Sequence, residues 1–202
     1  MSDDARDIIS LYQRHATTWS GRRRQHLMEK SWLDKFLGLM KANPTVLDLG
    51  CGFGAPIAAY LAQKGCAVTG VDTSPELLKL AQRRAPESTW IRSDMRELSL
   101  GTTFNGILAW NSFFHLTPED QRAMFPVFQR HAEPGAPLMF TSGPSHGEAI
   151  GTLNGDPLYH ASLAPAEYTA LLEAHGFDVI DHIAEDPDCG GHTVWLAQYR
   201  TS

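Results

Sequence analysis

Three glycines at alternate positions, Gly50, Gly52 and Gly54, follow directly on the apolar run Val46-Leu47-Asp48-Leu49. A run so short and so apolar reads as a buried strand, and the helical pattern begins only at about Pro56. The glycines therefore sit where a strand hands over to a helix, and there they permit a tight turn and close approach of a ligand to the backbone. The helix start adds unpaired N–H groups and the positive end of its dipole. A second strand, Ala67-Val68-Thr69-Gly70-Val71, ends on Asp72. That is roughly twenty residues on, where a carboxylate can accept both hydroxyls of a ribose.

The strand–helix alternation continues. Ser74 caps a second helix with Pro75 at its first position, and Thr117-Pro118-Glu119-Asp120 opens another in the same way. Trp90-Ile91, Phe104 to Trp110 and Pro137 to Thr141 read as the third, fourth and fifth strands. A last helix opens at Pro165 and closes at Gly176. Phe177 to Ile183 and Thr193 to Tyr199 follow as two strands whose Asp186–Gly191 connection suits an antiparallel hairpin. Repeated β–α units imply a mostly parallel sheet covered on both faces. Between Ser142 and Ala161 the chain is rich in Gly, Pro, His and Ser, and the expectation is a long functional loop without regular structure.

Ahead of this alternation lie two helices. The first, around Asp7 to Trp19, carries Ile8, Leu11, Tyr12 and Trp19. In the second, Leu33, Phe36, Leu37 and Met40 form one apolar stripe, and Asn43-Pro44 ends the pattern. The 202 residues fit a single domain, divided into an N-terminal helical lid (1–43) and a Rossmann-like core (44–202).

A formal charge of −6 argues against a general nucleic-acid binder, and Arg22, Arg23 and Arg24, the one basic cluster, read as a solvated helix end. Cys51, Cys66 and Cys189 have neither disulfide-framework nor zinc-ribbon spacing. Asp186, Asp188, Cys189, His160 and His192 are acceptable ligand types without a zinc pattern, and no metal is expected. The polar, acidic start and the lack of a bilayer-length apolar run make a cytoplasmic protein the expectation, with no membrane partner. Oligomeric state is not legible.

Two ligands compete for the glycine turn. Gly50, Gly52 and Ala55 with Asp72 also satisfy a dinucleotide pattern, which would make the chain a small NAD(P)-dependent reductase. Asp48 speaks against a pyrophosphate and for a ligand with an ammonium group, and no second mononucleotide-binding half follows. A module that binds its ligand without catalysis is the third possibility.

Residues 46–54 resemble the first motif of class I S-adenosylmethionine (SAM)-dependent methyltransferases, and Gly70-Val71-Asp72-Thr73-Ser74-Pro75 resembles their ribose motif. Ser93-Asp94-Met95 is similar to the adenine loop, and Trp110 to Leu116 to the fourth-strand segment bordering the methyl group. The resemblance spans Thr45 to Arg200 and departs from the family pattern at Pro56-Ile57. It implies a doubly wound, seven-stranded α/β sheet, mostly parallel, whose last strand runs antiparallel between the fifth and sixth. It also implies SAM as cofactor, S-adenosylhomocysteine as product, and a small-molecule methyl acceptor.

Carried onto this sequence, the resemblance places Gly50, Cys51 and Gly52 along the methionine part of SAM, with Asp48 near its ammonium, and makes Trp110, in the segment bordering the methyl group, a further cofactor-binding candidate. Asp72 would hold the ribose, Thr73 and Leu77 would border the adenine, Asp94 would accept from its amino group and Met95 would pack on the ring. Asp94 has a second reading as a turn cap. His115, at the carboxyl end of the fourth strand, is the candidate base or a packing histidine. Phe114, Tyr159 and His160 are candidates for the acceptor pocket. Tyr12 and Trp19 would cover the cofactor from the lid, where an arginine of the 22–24 group could meet its carboxylate.

Overall fold

The computed structural model describes residues 8–15 and 27–201. Residues 8–15 are helical (α1). They are followed by α2 (Lys30–Gly38), β1 (Thr45–Leu49), α3 (Ile57–Gln63), β2 (Ala67–Asp72), α4 (Pro75–Arg84), β3 (Thr89–Arg92), β4 (Gly106–Ala109) and α5 (Pro118–His131). Then come β5 (Pro137–Ser142), β6 (Gly147–Leu153), β7 (Asp156–Ser162), α6 (Pro165–Ala174), β8 (Phe177–Asp186) and β9 (His192–Tyr199). Seven strands form one sheet in the order β3-β2-β1-β4-β5-β9-β8. The first four pairings are parallel, and β9 runs antiparallel between β5 and β8.

Strand periodicity sorts the core onto two faces. Leu47, Leu49, Ile107, Leu138, Phe140 and Trp195 pack with Phe125 and Phe128 of α5 and Tyr168 and Leu172 of α6. Their neighbours Val46, Leu108, Met139, Val194 and Leu196 pack with Trp32, Leu33 and Phe36 of α2 and Ile57, Ala58 and Leu61 of α3. A strand buried on both sides must be apolar at successive positions, which is why Asp48, itself buried in β1, is conspicuous.

α2 is a core element: it buries Trp32, Leu33 and Phe36, while Leu37 and Met40 are only half-buried. α1 stands over the carboxyl ends of the strands, with its Leu11 buried. Trp19 and Arg22 to Arg24 lie outside the described residues.

The expected loop from Ser142 to Ala161 is instead a β-hairpin, β6 paired antiparallel with β7 across Asn154-Gly155. Both turn residues have positive φ, 55° and 95°, the conformation that Asn-Gly adopts at low cost. No helix among the described residues is long and apolar enough to cross a membrane.

Candidate functional site

A cavity of about 320 Å³ opens at the carboxyl ends of β1, β2 and β4, with Ile8, Ile9 and Tyr12 of α1 on its roof. Its place beside β1, where consecutive connections leave in opposite directions toward β2 and β4, is the switch point at which open α/β sheets take ligands.

The glycine turn is held by the backbone. Gly50 and Cys51 N–H both donate to the Val71 carbonyl, at 2.8 and 3.1 Å, folding the chain back over the end of β2. Gly50 has φ +73°, and a Cβ there would lie 2.2 Å from the Ser112 Cβ. Ser112 cannot yield easily, because its hydroxyl donates to the Leu49 carbonyl at 2.6 Å. Beneath the turn lies the Trp90 ring, 2.6 and 2.4 Å from where a Cβ on Gly54 or Gly70 would stand. The Trp90 indole N–H is fixed on the Ala85 carbonyl at 3.0 Å. The turn needs glycine because two side chains already occupy the space on either side of it.

Two acids face this turn. Asp48 lies between Gly70 of β2 and Leu108 of β4, is buried, and receives no hydrogen bond from a described residue. Burial, and then the Asp72 charge, push its carboxyl up to about 7. Asp72 accepts from the Gly52 N–H at 2.9 Å and the Ser74 N–H at 2.8 Å, so it ties the turn to the start of α4. Burial still raises it above the ordinary carboxylate range despite those bonds and a third from Thr73. The crevice thus offers two desolvated carboxyls to a ligand, an environment that favours a cation and opposes a phosphate.

Asp94 caps the single turn Met95–Glu97, accepting the Arg96 N–H at 3.0 Å. The Arg96 guanidinium donates to both of its oxygens, to Oδ1 at 3.0 Å and to Oδ2 at 2.6 Å, and also reaches Asp120 at 2.9 Å. Burial works against ionisation of Asp94, but the Arg96 side chain and N–H hold it below the usual range. The capping geometry is therefore present, and Asp94 and Met95 line the cavity as well, together with Thr73 and Leu77. Asn111 and Ser112, within the segment expected to border the methyl group, also line the cavity, and Arg96 and Asp120 are cavity residues that sequence reasoning missed.

His115 is buried and lines the cavity. Its Nδ1 lies 2.8 Å from the Tyr159 carbonyl, which can only accept, so Nδ1 carries the proton. Nε2 then has the lone pair, and the Tyr12 hydroxyl donates to it at 2.8 Å across 103 residues of sequence. Burial lowers His115 to about 4, outweighing the carbonyl that works the other way; the neighbouring His160 lowers it further. Burial also raises the Tyr12 phenol, with Asp72 adding to the effect. The resting pair is neutral on both sides.

Phe114, Tyr159 and His160 are not among the residues lining the cavity; they stand behind His115. The Phe114 and His160 rings lie 4.7 and 5.0 Å from the His115 ring, and Tyr159 supplies its carbonyl. Phe113, in the same aromatic segment, belongs to the core against Phe125, Phe128 and Phe140. Trp110 lines the cavity, stacks on His192 at 5.7 Å, and buries an indole N–H that has no acceptor among the described residues.

Two of the groups weighed as metal ligands are engaged elsewhere. Asp186 accepts from the Trp32 indole at 2.7 Å, and His192 Nδ1 bonds the Cys189 carbonyl at 2.8 Å. Among the described residues no three His, Cys, Asp or Glu side chains are grouped to hold a metal.

A family described as a methyltransferase domain matches residues 46–135. Trans-aconitate 2-methyltransferase of Azoarcus sp. (strain BH72) is 35% identical over 95 residues, 46% of this chain and 37% of that protein. The dTDP-3-amino-3,4,6-trideoxy-alpha-D-glucopyranose N,N-dimethyltransferase of Streptomyces venezuelae is 31% identical over 93 residues, 45% of this chain and 39% of that one. The match thus spans less than half the length of these curated relatives. Among solved structures, the 1,6-didemethyltoxoflavin-N1-methyltransferase of Burkholderia thailandensis, with 1,6-didemethyltoxoflavin and S-adenosylhomocysteine bound, shares the fold. Its TM-score is 0.72 at 23% identity, over 98% of this chain and 87% of that one.

Proposed function

We propose that the chain is a class I SAM-dependent methyltransferase that moves the methyl group of SAM to a small-molecule acceptor by in-line displacement, a reading supported by the methyltransferase-domain match over residues 46–135. The observation that carries this is Asp48: a buried, unpartnered carboxyl beside a glycine turn suits a ligand with an ammonium group and repels a diphosphate. The acceptors in the relatives' names, an aconitate and an amino sugar, are small molecules, which supports the same class here.

Bound in this crevice, SAM supplies a methyl group made electrophilic by its sulfonium. The protein's part is binding, alignment and water exclusion. Asp48 holds the ammonium, and Gly50, Cys51 and Gly52 give the methionine part its close backbone approach. Asp72 takes the ribose hydroxyls, and Thr73, Leu77, Asp94 and Met95 enclose the adenine. Such positioning is worth roughly 7–11 kcal/mol of barrier for a bimolecular reaction. α1 closes the cavity and keeps water from the nucleophile.

His115 is the base for an acceptor that carries a proton. It stays neutral at physiological pH, its tautomer is fixed by Tyr159, and its Nε2 lone pair receives the proton when the acceptor competes with Tyr12 for it. A base matched to the operating pH is worth a factor of about 10²–10⁴, and His115, lowered to about 4, supplies the lower end of it. Acceptor contacts fall on Tyr12, Trp110 and Asn111, with Phe114 and His160 shaping the pocket only through His115.

Titration calorimetry with S-adenosylhomocysteine and, separately, NADH tests the cofactor. Incubation with SAM and a metabolite panel, followed by detection of S-adenosylhomocysteine, tests the transfer. Binding of NADH without binding of S-adenosylhomocysteine would refute the reading.

A further inference from the structure

The inner face of α1 is a single stripe: Ile8, Leu11, Tyr12 and His15 recur at i, i+3, i+4 and i+7. Ile8 lines the cavity, Leu11 is buried, and Tyr12 reaches His115. The fourth member, His15, reaches the β6–β7 hairpin. Its Nε2–H donates to the Asp156 carboxylate at 2.8 Å, and Arg14 approaches the same carboxylate at 3.5 Å.

Asp156 opens β7, immediately after the Asn154-Gly155 turn of the hairpin. Three residues further along β7, the Tyr159 carbonyl fixes the proton on His115 Nδ1. One strand thus holds α1 through Asp156 and the partner of Tyr12 through Tyr159. The strand is itself anchored where Gln121 of α5 donates to both the Leu116 and Ala161 carbonyls at 2.9 Å. The His15 hydrogen bond foremost, against a small effect of burial, keeps Asp156 ionised below the usual carboxylate range.

We propose that the β6–β7 hairpin is the clamp of the lid: Asp156 is a positioning residue that holds α1 down through His15 and Arg14, so that Tyr12 meets His115 and the cofactor is retained. This rests on the cofactor reading above and goes beyond it in assigning a role to a residue outside the cavity. The Asp156 contacts are half-exposed, so each is individually weak. A clamp of that strength can open on every turnover, which a lid over a buried cofactor requires.

The test uses the full chain at constant pH. Dissociation of S-adenosylhomocysteine is followed by stopped-flow tryptophan fluorescence, and the His115 Nε2 signal by ¹⁵N NMR of histidine-labelled protein, assigned by its loss in His115→Asn. Asp156→Ala is expected to speed dissociation about two- to fivefold and to move the His115 signal toward its position in Tyr12→Phe. Asp156→Glu is expected to recover most of both. Arg14→Ala/His15→Asn, which leaves the hairpin sequence intact, is expected to reproduce the effect and serves if Asp156→Ala fails to fold. If either the dissociation rate or the His115 signal stays at its wild-type value, the clamp is refuted. If the wild-type protein does not bind S-adenosylhomocysteine, the cofactor reading fails, and the His115 signal alone decides whether Asp156 holds the lid.

Discussion

Affinity for S-adenosylhomocysteine should rise with pH through neutrality, and Asp48 should be the cause. In the free protein its carboxyl titrates at about 7, raised by burial and by Asp72. An ammonium held against it stabilises the charged form and pulls that value down, so binding releases a proton wherever the free carboxyl is still protonated. Ionisation of a group titrating near 7 grows about 25-fold between about pH 5.5 and 7.5, which corresponds to ~1.9 kcal/mol of binding free energy. The ligand's α-amino group titrates near 8, so the window ends below it. His115 is lowered to about 4 and so adds no proton there. Asp72 is raised too, in the same direction, and contributes to the slope to the extent that the ligand leaves it charged. Calorimetry across that window, repeated in buffers of different ionisation enthalpy, counts the protons released. Asp48→Asn should bind weakly and lose most of the slope. A flat affinity, or a slope that survives Asp48→Asn, would refute the assignment of the ammonium to Asp48.

Gly50→Ala should abolish S-adenosylhomocysteine binding and lower the melting temperature, because φ +73° alone costs about 1–2 kcal/mol for an L-residue and the new methyl meets Ser112; wild-type affinity would show that the turn has room. His115 is held below its unfolded value, so the folded state binds fewer protons than the unfolded one, and stability is lost as pH falls from the ordinary histidine range toward about 4. Denaturant titrations of wild type and His115→Gln should differ by roughly 3 kcal/mol in that acid loss, and equal slopes would contradict the shift. Gln121→Ala leaves two carbonyls and the Tyr168 hydroxyl without their partner, and urea unfolding should show a loss of about 3 kcal/mol.

What sequence could carry was local. The strand, the glycine turn and Asp72 are legible because each depends on neighbours within a few residues or on a fixed spacing; the alternation of elements gives a mostly parallel sheet, and the doubly wound order came from the family resemblance. The hairpin β6–β7 escaped notice for a physical reason. Five of the seven residues of β6, Gly147 to Ile150 and Thr152, are exposed, so no apolar alternation marks the strand, and only Asn154-Gly155 signalled the turn. The Tyr12–His115 pair joins positions 103 apart, and no spacing rule reaches that far. Arg96 was hidden differently: its partners Asp94 and Asp120 are brought together only when the β3 turn meets the start of α5.

The free protein bears the consequence of this site in its stability. Lifting Asp48 from 3.8 to about 7 withholds up to roughly 4 kcal/mol from the folded state above pH 7. The folded value lies above the unfolded one, so the penalty is absent below about pH 4, grows as pH rises, and is complete once the carboxyl is charged. A leucine-rich strand gains nothing structurally from such a group, since Asp48 bonds no described neighbour. Asp48→Asn should therefore raise the melting temperature of the ligand-free protein at neutral pH while it weakens the cofactor. A residue kept only for structure would show the opposite sign, and a fall in melting temperature would remove the strongest physical reason for seating a cation at β1.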